Sequence, residues 1–97
     1  MAVCDLSEQV QIEAYALQLG WVLRRIRQTS RFTVDGQTIG VWWDDEGVAT
    51  RAVITDAEDR VTARRESYAW QTATVGEWVR MMLSAIVTAR PAGEVPA

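Results

Sequence analysis

The stretch Arg31–Gln71, RFTVDGQTIGVWWDDEGVATRAVITDAEDRVTARRESYAWQ, decides the fold. Apolar and polar residues alternate through it, and three short polar segments interrupt the alternation. This is the pattern of β-strands joined by tight turns. We therefore predict a four-stranded antiparallel meander, because hairpin-sized connections do not allow parallel pairing. Its strands are expected at about 31–35, 38–43, 48–55 and 60–71.

The first turn is the strongest local signal in this stretch. Asp35-Gly36 lies between two apolar runs, and a type I′ turn requires positive φ at both of its central residues. This turn places Phe32 opposite Ile39. Since side chains alternate along a strand, the pairing assigns both residues to one face of the sheet.

The other two turns extend the same face if each is a four-residue loop. Asp44–Gly47 then places Trp43 opposite Val48, and Asp56–Asp59 places Ile54 opposite Val61. The predicted core face carries Phe32, Val34, Ile39, Val41, Trp43, Val48, Ala52, Ile54, Val61 and Ala63.

The fourth strand departs from this pattern. Continued alternation directs Arg65 to the core face and leaves Tyr68 and Trp70 on the outer face. A β-bulge near Arg64–Ser67 would shift the register and bury both aromatic residues. The sequence leaves these two arrangements open.

A first helix is predicted at about 6–28, with Asp5 or Ser7 as its N-cap. Its apolar residues form two stripes, whereas a surface helix needs only one. The second stripe is therefore covered either by another helix of the domain or by a partner chain. The stripes are Leu6, Val10, Ala14, Leu17 and Trp21, and Ile12, Tyr15, Leu19, Val22, Leu23 and Ile26.

A second helix is predicted at about 75–90. Thr74 and Glu77 have the spacing of a capping box, and Pro91 disfavours helical geometry at the residue before it. Residues 91–97 are a short tail. The expected fold is a single α+β domain, 1–97, with the order α-β-β-β-β-α and two helices packed on one face of the sheet.

Composition limits the chemistry. The chain has no histidine and no lysine, so it lacks an imidazole base and a Schiff-base amine. We expect no enzymatic activity, no cofactor and no metal; the acidic turns could offer oxygen ligands to a hard cation, but they lack the spacing of a calcium loop. All ten basic residues are arginine and asparagine is absent, which favours a GC-rich bacterial or phage genome.

Two further features of the sequence indicate the cellular compartment. Cys4 is the only cysteine, so an intramolecular disulfide cannot form. The first residues lack the basic start and apolar run of a signal peptide. We therefore expect a cytoplasmic protein, and the net charge of −3 argues against bulk binding to nucleic acid or an anionic membrane.

The residue expected to mark a binding surface is Trp42, which must point outward if Trp43 points inward. Tryptophan and arginine are enriched at protein interfaces. Candidate partner-binding residues are Trp42, Arg51, Arg64, Tyr68 and Trp70 on the outer sheet face, and Tyr15, Leu19 and Ile26 on the first helix.

These observations predict a non-enzymatic protein–protein interaction module, such as an inhibitor, adaptor or assembly factor encoded by a phage or mobile element. Its partner would be another protein or a second copy of itself in a homodimer. One alternative is single-stranded or structured nucleic acid bound by the aromatic and arginine-rich sheet face. The other is a small-molecule pocket between sheet and helices, lined by Trp21, Trp43 and Trp78.

Overall fold

The computed structural model describes residues 7–66 and 74–88. A five-stranded antiparallel sheet with strands in chain order lies between two helices in the sequence. The α+β class and the order of the helices are as predicted, but the predicted count of four strands is wrong. The elements are α1 (Glu8–Gln18), β1 (Val22–Ile26), β2 (Thr29–Val34), β3 (Gln37–Trp43), β4 (Ala49–Thr55), β5 (Val61–Glu66) and α2 (Val75–Thr88).

The additional strand replaces the second half of the predicted first helix. The helix ends because Gly20 adopts a φ of 96°, which is unfavourable for other residues. The N–H of Trp21 donates to the carbonyl of Ala16 at 3.0 Å, and that of Gly20 donates to Leu17 at 3.1 Å. This is a Schellman motif. The chain then continues as β1, which pairs antiparallel with β2.

The first predicted hairpin is confirmed, since Phe32 pairs with Ile39 and both residues of the Asp35-Gly36 turn have positive φ. The predicted registers of the next two hairpins are wrong. Trp43 lies opposite Ala49 and not Val48, and Ile54 lies opposite Ala63 and not Val61.

Both errors have the same physical cause. Each loop contains one more residue than expected, and a register shift follows it in the adjoining ladder. Gly47 and Asp59 adopt φ values of 79° and 64° in equivalent positions of the two loops. As a result Val48 and Val61, both expected in the core, are 45% and 49% exposed.

An aspartate organises each of these loops. Asp44 Oδ1 accepts the backbone N–H groups of Glu46 and Val48, and Asp56 Oδ1 accepts those of Glu58 and Arg60. The bond from the Arg60 N–H contributes most to holding the pKa of Asp56 below its usual range. In each acidic loop the first carboxylate is therefore hydrogen-bonded to backbone N–H groups of its own loop.

Both helices pack on the same face of the sheet and form one apolar core with it. Trp43 is buried as predicted, Trp21 is buried as well, and Trp78 is half-buried against the core. Trp21 Nε1 donates to the carbonyl of Leu83 at 3.2 Å, which links the end of α1 to α2. Besides Trp21 and Trp43, the largest side chains that are fully buried are Phe32, Ile12, Ile39, Ile54, Leu83, Val41, Val75 and Val79.

The two helices begin beside each other. The predicted capping box at the start of α2 is confirmed by reciprocal bonds between Thr74 and Glu77, at 2.9 and 3.0 Å. The Glu8 carboxylate packs against Gly76, where a Cβ would collide with it, and accepts the N–H of Ala49 at 2.9 Å. One carboxylate therefore lies near two helix N-termini, where negative charge is favourable.

Within the described residues, neither helix has the length and apolar character needed to cross a membrane.

Candidate functional site: the open sheet face

The face of the sheet opposite the helices is called the open sheet face. Cross-strand partners share a face, so the strand registers define rows of side chains across it. The arginine row consists of Arg24, Arg31, Gly40, Val53 and Arg64. Its three arginines are exposed.

A second row lies beside the first and is called the tryptophan row. It consists of Ile26, Thr29, Trp42, Arg51 and Glu66. Trp42 is 36% exposed and Ile26 is 44% exposed, whereas Trp43, the next residue on β3, is 4% exposed. The predicted outward orientation of Trp42 is therefore correct, and the face combines apolar and cationic side chains.

The indole of Trp42 is held in place by two contacts. The Arg51 guanidinium carbon lies 4.8 Å from the ring centroid, which is a cation–π geometry. The six-membered ring also lies against Gly40: a Cβ placed there would be 3.5 Å from Cζ3 and 3.7 Å from Cη2. The Trp42 ring is therefore held in one position by its contacts with Arg51 and Gly40.

A shallow depression of about 160 Å³ opens beside this tryptophan. It lies over Gly40, which contributes no side chain to the centre of the face. Its walls are Arg31, Thr38, Trp42, Val53, Thr55 and Asp59. The volume suits a single side chain or small group and not a drug-sized ligand, whose sites span about 300–1,000 Å³.

The arginine row has no ion-pair partners among the described residues. Arg24, Arg31 and Arg64 form no ion pair with any residue in 7–66 or 74–88. Elsewhere in the same chain, Arg25 pairs with Glu13, and Arg60 pairs with Asp56 and Glu58. The open sheet face therefore carries local positive charge on a protein with a net charge of −3.

The structure brings together four of the predicted partner-binding residues and separates the others. Trp42, Arg51, Arg64 and Ile26 share the open sheet face. Tyr15 and Leu19 pack against the core on the opposite side. Tyr68 and Trp70 lie outside the described residues. Of the segment proposed to contain a bulge, only Ser67 lies outside them, and Arg64, Arg65 and Glu66 pair with β4 in regular register.

Sequence reasoning missed Arg24 and Val22 as residues of this face. Both were assigned to the first helix, because Val22, Leu23 and Ile26 have spacing that also fits a helical stripe. The signal that could have identified them was Gly20, a residue favoured just after the end of a helix.

A separate polar cluster lies on the core side, around Glu13, which is 3% exposed. Ser30 donates its hydroxyl to this carboxylate at 2.6 Å, Trp43 Nε1 donates to Ser30 at 2.9 Å, and Arg25 and Gln9 also donate to Glu13. Burial acts to raise the pKa of Glu13, but the bonds from Arg25, Ser30 and Gln9 together lower it. This carboxylate has its acceptor sites occupied, which favours a structural role.

The arrangement gives little support to a small-molecule site between sheet and helices. The indole N–H groups of Trp21 and Trp43 are bonded to Leu83 and Ser30, so they are not available to orient a ligand. Among the described residues, no group of three or more acidic or cysteine side chains is placed to hold a metal ion.

Comparisons with protein-family models, with curated proteins and with solved structures find no match to this chain. Its function must therefore be argued from geometry.

Proposed function

We propose that this protein is a non-enzymatic module that binds another protein through the open sheet face. The observation that carries the proposal is the cluster of Trp42, Arg51 and the adjoining depression. An exposed tryptophan held by an arginine, next to a cavity the size of one side chain, has the composition and shape of an interface hot spot. An inhibitor, an adaptor and an assembly factor would each use such a surface.

The rigidity of Trp42 supports this function. Binding must offset the entropy lost when interface side chains become ordered, about 0.5–1.5 kcal/mol for each flexible side chain. Trp42 is already confined by Gly40 and Arg51. It can therefore be buried by a partner with a smaller entropic loss than a free aromatic side chain.

The same contacts favour a protein partner over a stacking platform for bases. Single-stranded nucleic acids bind by stacking bases on open aromatic rings. The Arg51 guanidinium occupies the space above the Trp42 ring, so a base could stack there only after Arg51 moved. A protein surface can contact the tryptophan edge and the arginine together.

Site-specific photo-crosslinking in the source cells tests this function. A photoreactive amino acid replaces Thr33, which is exposed on the open sheet face, or Ala85, which is exposed on α2. We expect a discrete protein adduct from position 33 that is absent from position 85. The adduct should disappear when Trp42→Ala is added and should survive nuclease treatment.

An equal adduct pattern from both positions would contradict the proposal. An adduct that persists in Trp42→Ala would show that the tryptophan cluster is not the binding surface. An adduct destroyed by nuclease would assign the face to nucleic acid.

A further inference from the structure

We infer that the partner presents an acidic segment, about six residues long, to the arginine row. This inference rests on the proposed function and adds the chemistry of the partner. A row of three arginines that form no ion pair within the described residues, on a net acidic protein, supplies the charge complementarity that selects such a segment.

The arginine row is unfavourable for the isolated protein. Arg24 and Arg31 are directly opposed on β1 and β2, and like charges in that position destabilise a sheet. Arg64 adds a third positive charge at the far end of the row and forms no ion pair within the described residues. A negatively charged ligand would relieve this repulsion.

The dimensions of the row limit the ligand. Five strands spaced by about 4.8 Å give a row roughly 19 Å long, which an extended peptide spans with about six residues. Val53 and Gly40 lie at its centre, and the depression beside them can take one apolar side chain. A short acidic segment with a central apolar residue fits this arrangement.

Carboxylates near the row argue against a long polyanion. Asp59 lines the depression, and Glu66 lies opposite Arg51 in the tryptophan row. A nucleic acid strand that continued past the row would bring its phosphates close to these groups. A short segment whose central residue is uncharged avoids placing an anionic group beside Asp59.

Binding of defined probes tests the inference. The first probe is a fluorescent peptide of about eight residues, glutamates with one central leucine, chosen to span the row. The second is a thymidine oligonucleotide of about eight nucleotides, within the length that one binding domain covers. We expect the peptide to bind more tightly, with an affinity that falls as salt increases.

Two variants form a matched pair. Arg31→Gln and Arg60→Gln remove the same charge, but Arg60 lies in the β4–β5 loop and is paired with Asp56 and Glu58. We expect Arg31→Gln to weaken peptide binding about twofold to fivefold and Arg60→Gln to leave it unchanged, and the triple change at Arg24, Arg31 and Arg64 to weaken it at least about tenfold. The triple variant should melt no lower than the parent, because it removes the repulsion between opposed arginines.

Three results would overturn the inference. Equal losses of peptide affinity in Arg31→Gln and Arg60→Gln would mean that binding depends on the net charge of the protein and not on the arginine row. Tighter binding of the oligonucleotide would identify a nucleic acid ligand. No binding of either probe, together with a Trp42-dependent protein adduct from position 33, would refute the acidic segment and leave the proposed protein-binding function intact.

Discussion

At the scale of single residues, the neighbours Trp42 and Trp43 show how strand alternation separates stability from binding. Trp43 is 4% exposed and donates its indole N–H to Ser30, while Trp42 is 36% exposed and contacts Arg51. The same side chain therefore belongs to the core at one position and to the candidate site at the next.

Truncation of the two tryptophans should have unequal effects. Trp43→Ala is expected to lower the free energy of unfolding by about 3–5 kcal/mol, because it leaves a cavity in the core. Trp42→Ala should cost less than about 1 kcal/mol, the scale of an exposed cation–π contact. Urea unfolding of both variants measures the difference, and equal large losses would contradict the proposed division of roles.

The Glu13 cluster predicts a dependence of stability on pH. Its pKa is lowered in the folded protein from the ordinary value of 4.5, so the unfolded chain binds a proton more readily. The stabilisation is complete above that ordinary value and is lost as the pH falls through the lower pKa of the folded state.

We therefore expect Glu13→Gln to lower the free energy of unfolding by about 1–3 kcal/mol at neutral pH. This gap in unfolding free energy between the variant and the parent should narrow as the pH falls below the ordinary pKa. Urea titrations at several pH values measure this gap. Glu46→Gln is the control, because Glu46 is exposed in the loop between β3 and β4; its gap should stay constant. A Glu13→Gln gap that does not change with pH would refute the assigned role.

At the scale of elements, the sequence predicted best where local chemistry permits one conformation. Asp35-Gly36 allows a single hairpin register, and Thr74 with Glu77 defines a helix start; both predictions are confirmed. Val22–Ile26 was misassigned because its apolar residues fit either a helix or a strand, and pairing with β2 decides between them.

Only part of the candidate site could be predicted from the sequence, because the rest depends on how distant strands pair. The outward orientation of Trp42 follows from strand alternation alone, so the sequence sufficed. The arginine row depends on the register of every strand, and the loops at Gly47 and Asp59 shifted two of those registers. Such loop geometry is a balance of small backbone energies that composition does not reveal.

The β1–β2 hairpin contains a strained residue that offers a test of its geometry. Arg27 has a φ of 56°, a conformation that costs most residues about 1–2 kcal/mol. Arg27→Gly should therefore raise the free energy of unfolding by about 0.5–1 kcal/mol, after allowing for the greater entropy of glycine in the unfolded chain.

The matched control is Gln28→Gly in the same turn. Gln28 has no positive φ and donates its side-chain amide to Asp45, so this change should lower the free energy of unfolding by about 0.5–1 kcal/mol. Thermal melts of the two variants should shift in opposite directions. Parallel shifts would show that the turn is not built as described.

At the scale of the whole molecule, charge is segregated. Carboxylates gather in the loops between β3 and β4 and between β4 and β5, while arginines cross the open sheet face. Two copies that paired their open sheet faces about a twofold axis would place one arginine row against the other. Like-charge contact of this kind opposes association.

Light scattering over a concentration series should therefore show no dimer formed through the open sheet face. Val10 and Leu17 remain 41% and 54% exposed on α1 and offer a different surface for self-association. A dimer dissociated by Leu17→Glu would use that helix and agree with the expectation. A dimer that survives Leu17→Glu but dissociates in Trp42→Ala would contradict it.

The consecutive order of the strands also has a kinetic consequence. Each strand pairs only with its neighbours in the sequence, so each pairing closes a short loop at a small entropic cost. The contact between α1 and α2, such as the bond from Arg80 to Gln11, joins distant parts of the chain and must close a far longer loop. Folding rates depend on this difference in sequence separation, so the meander is expected to assemble first and the pairing of the helices to complete the native state.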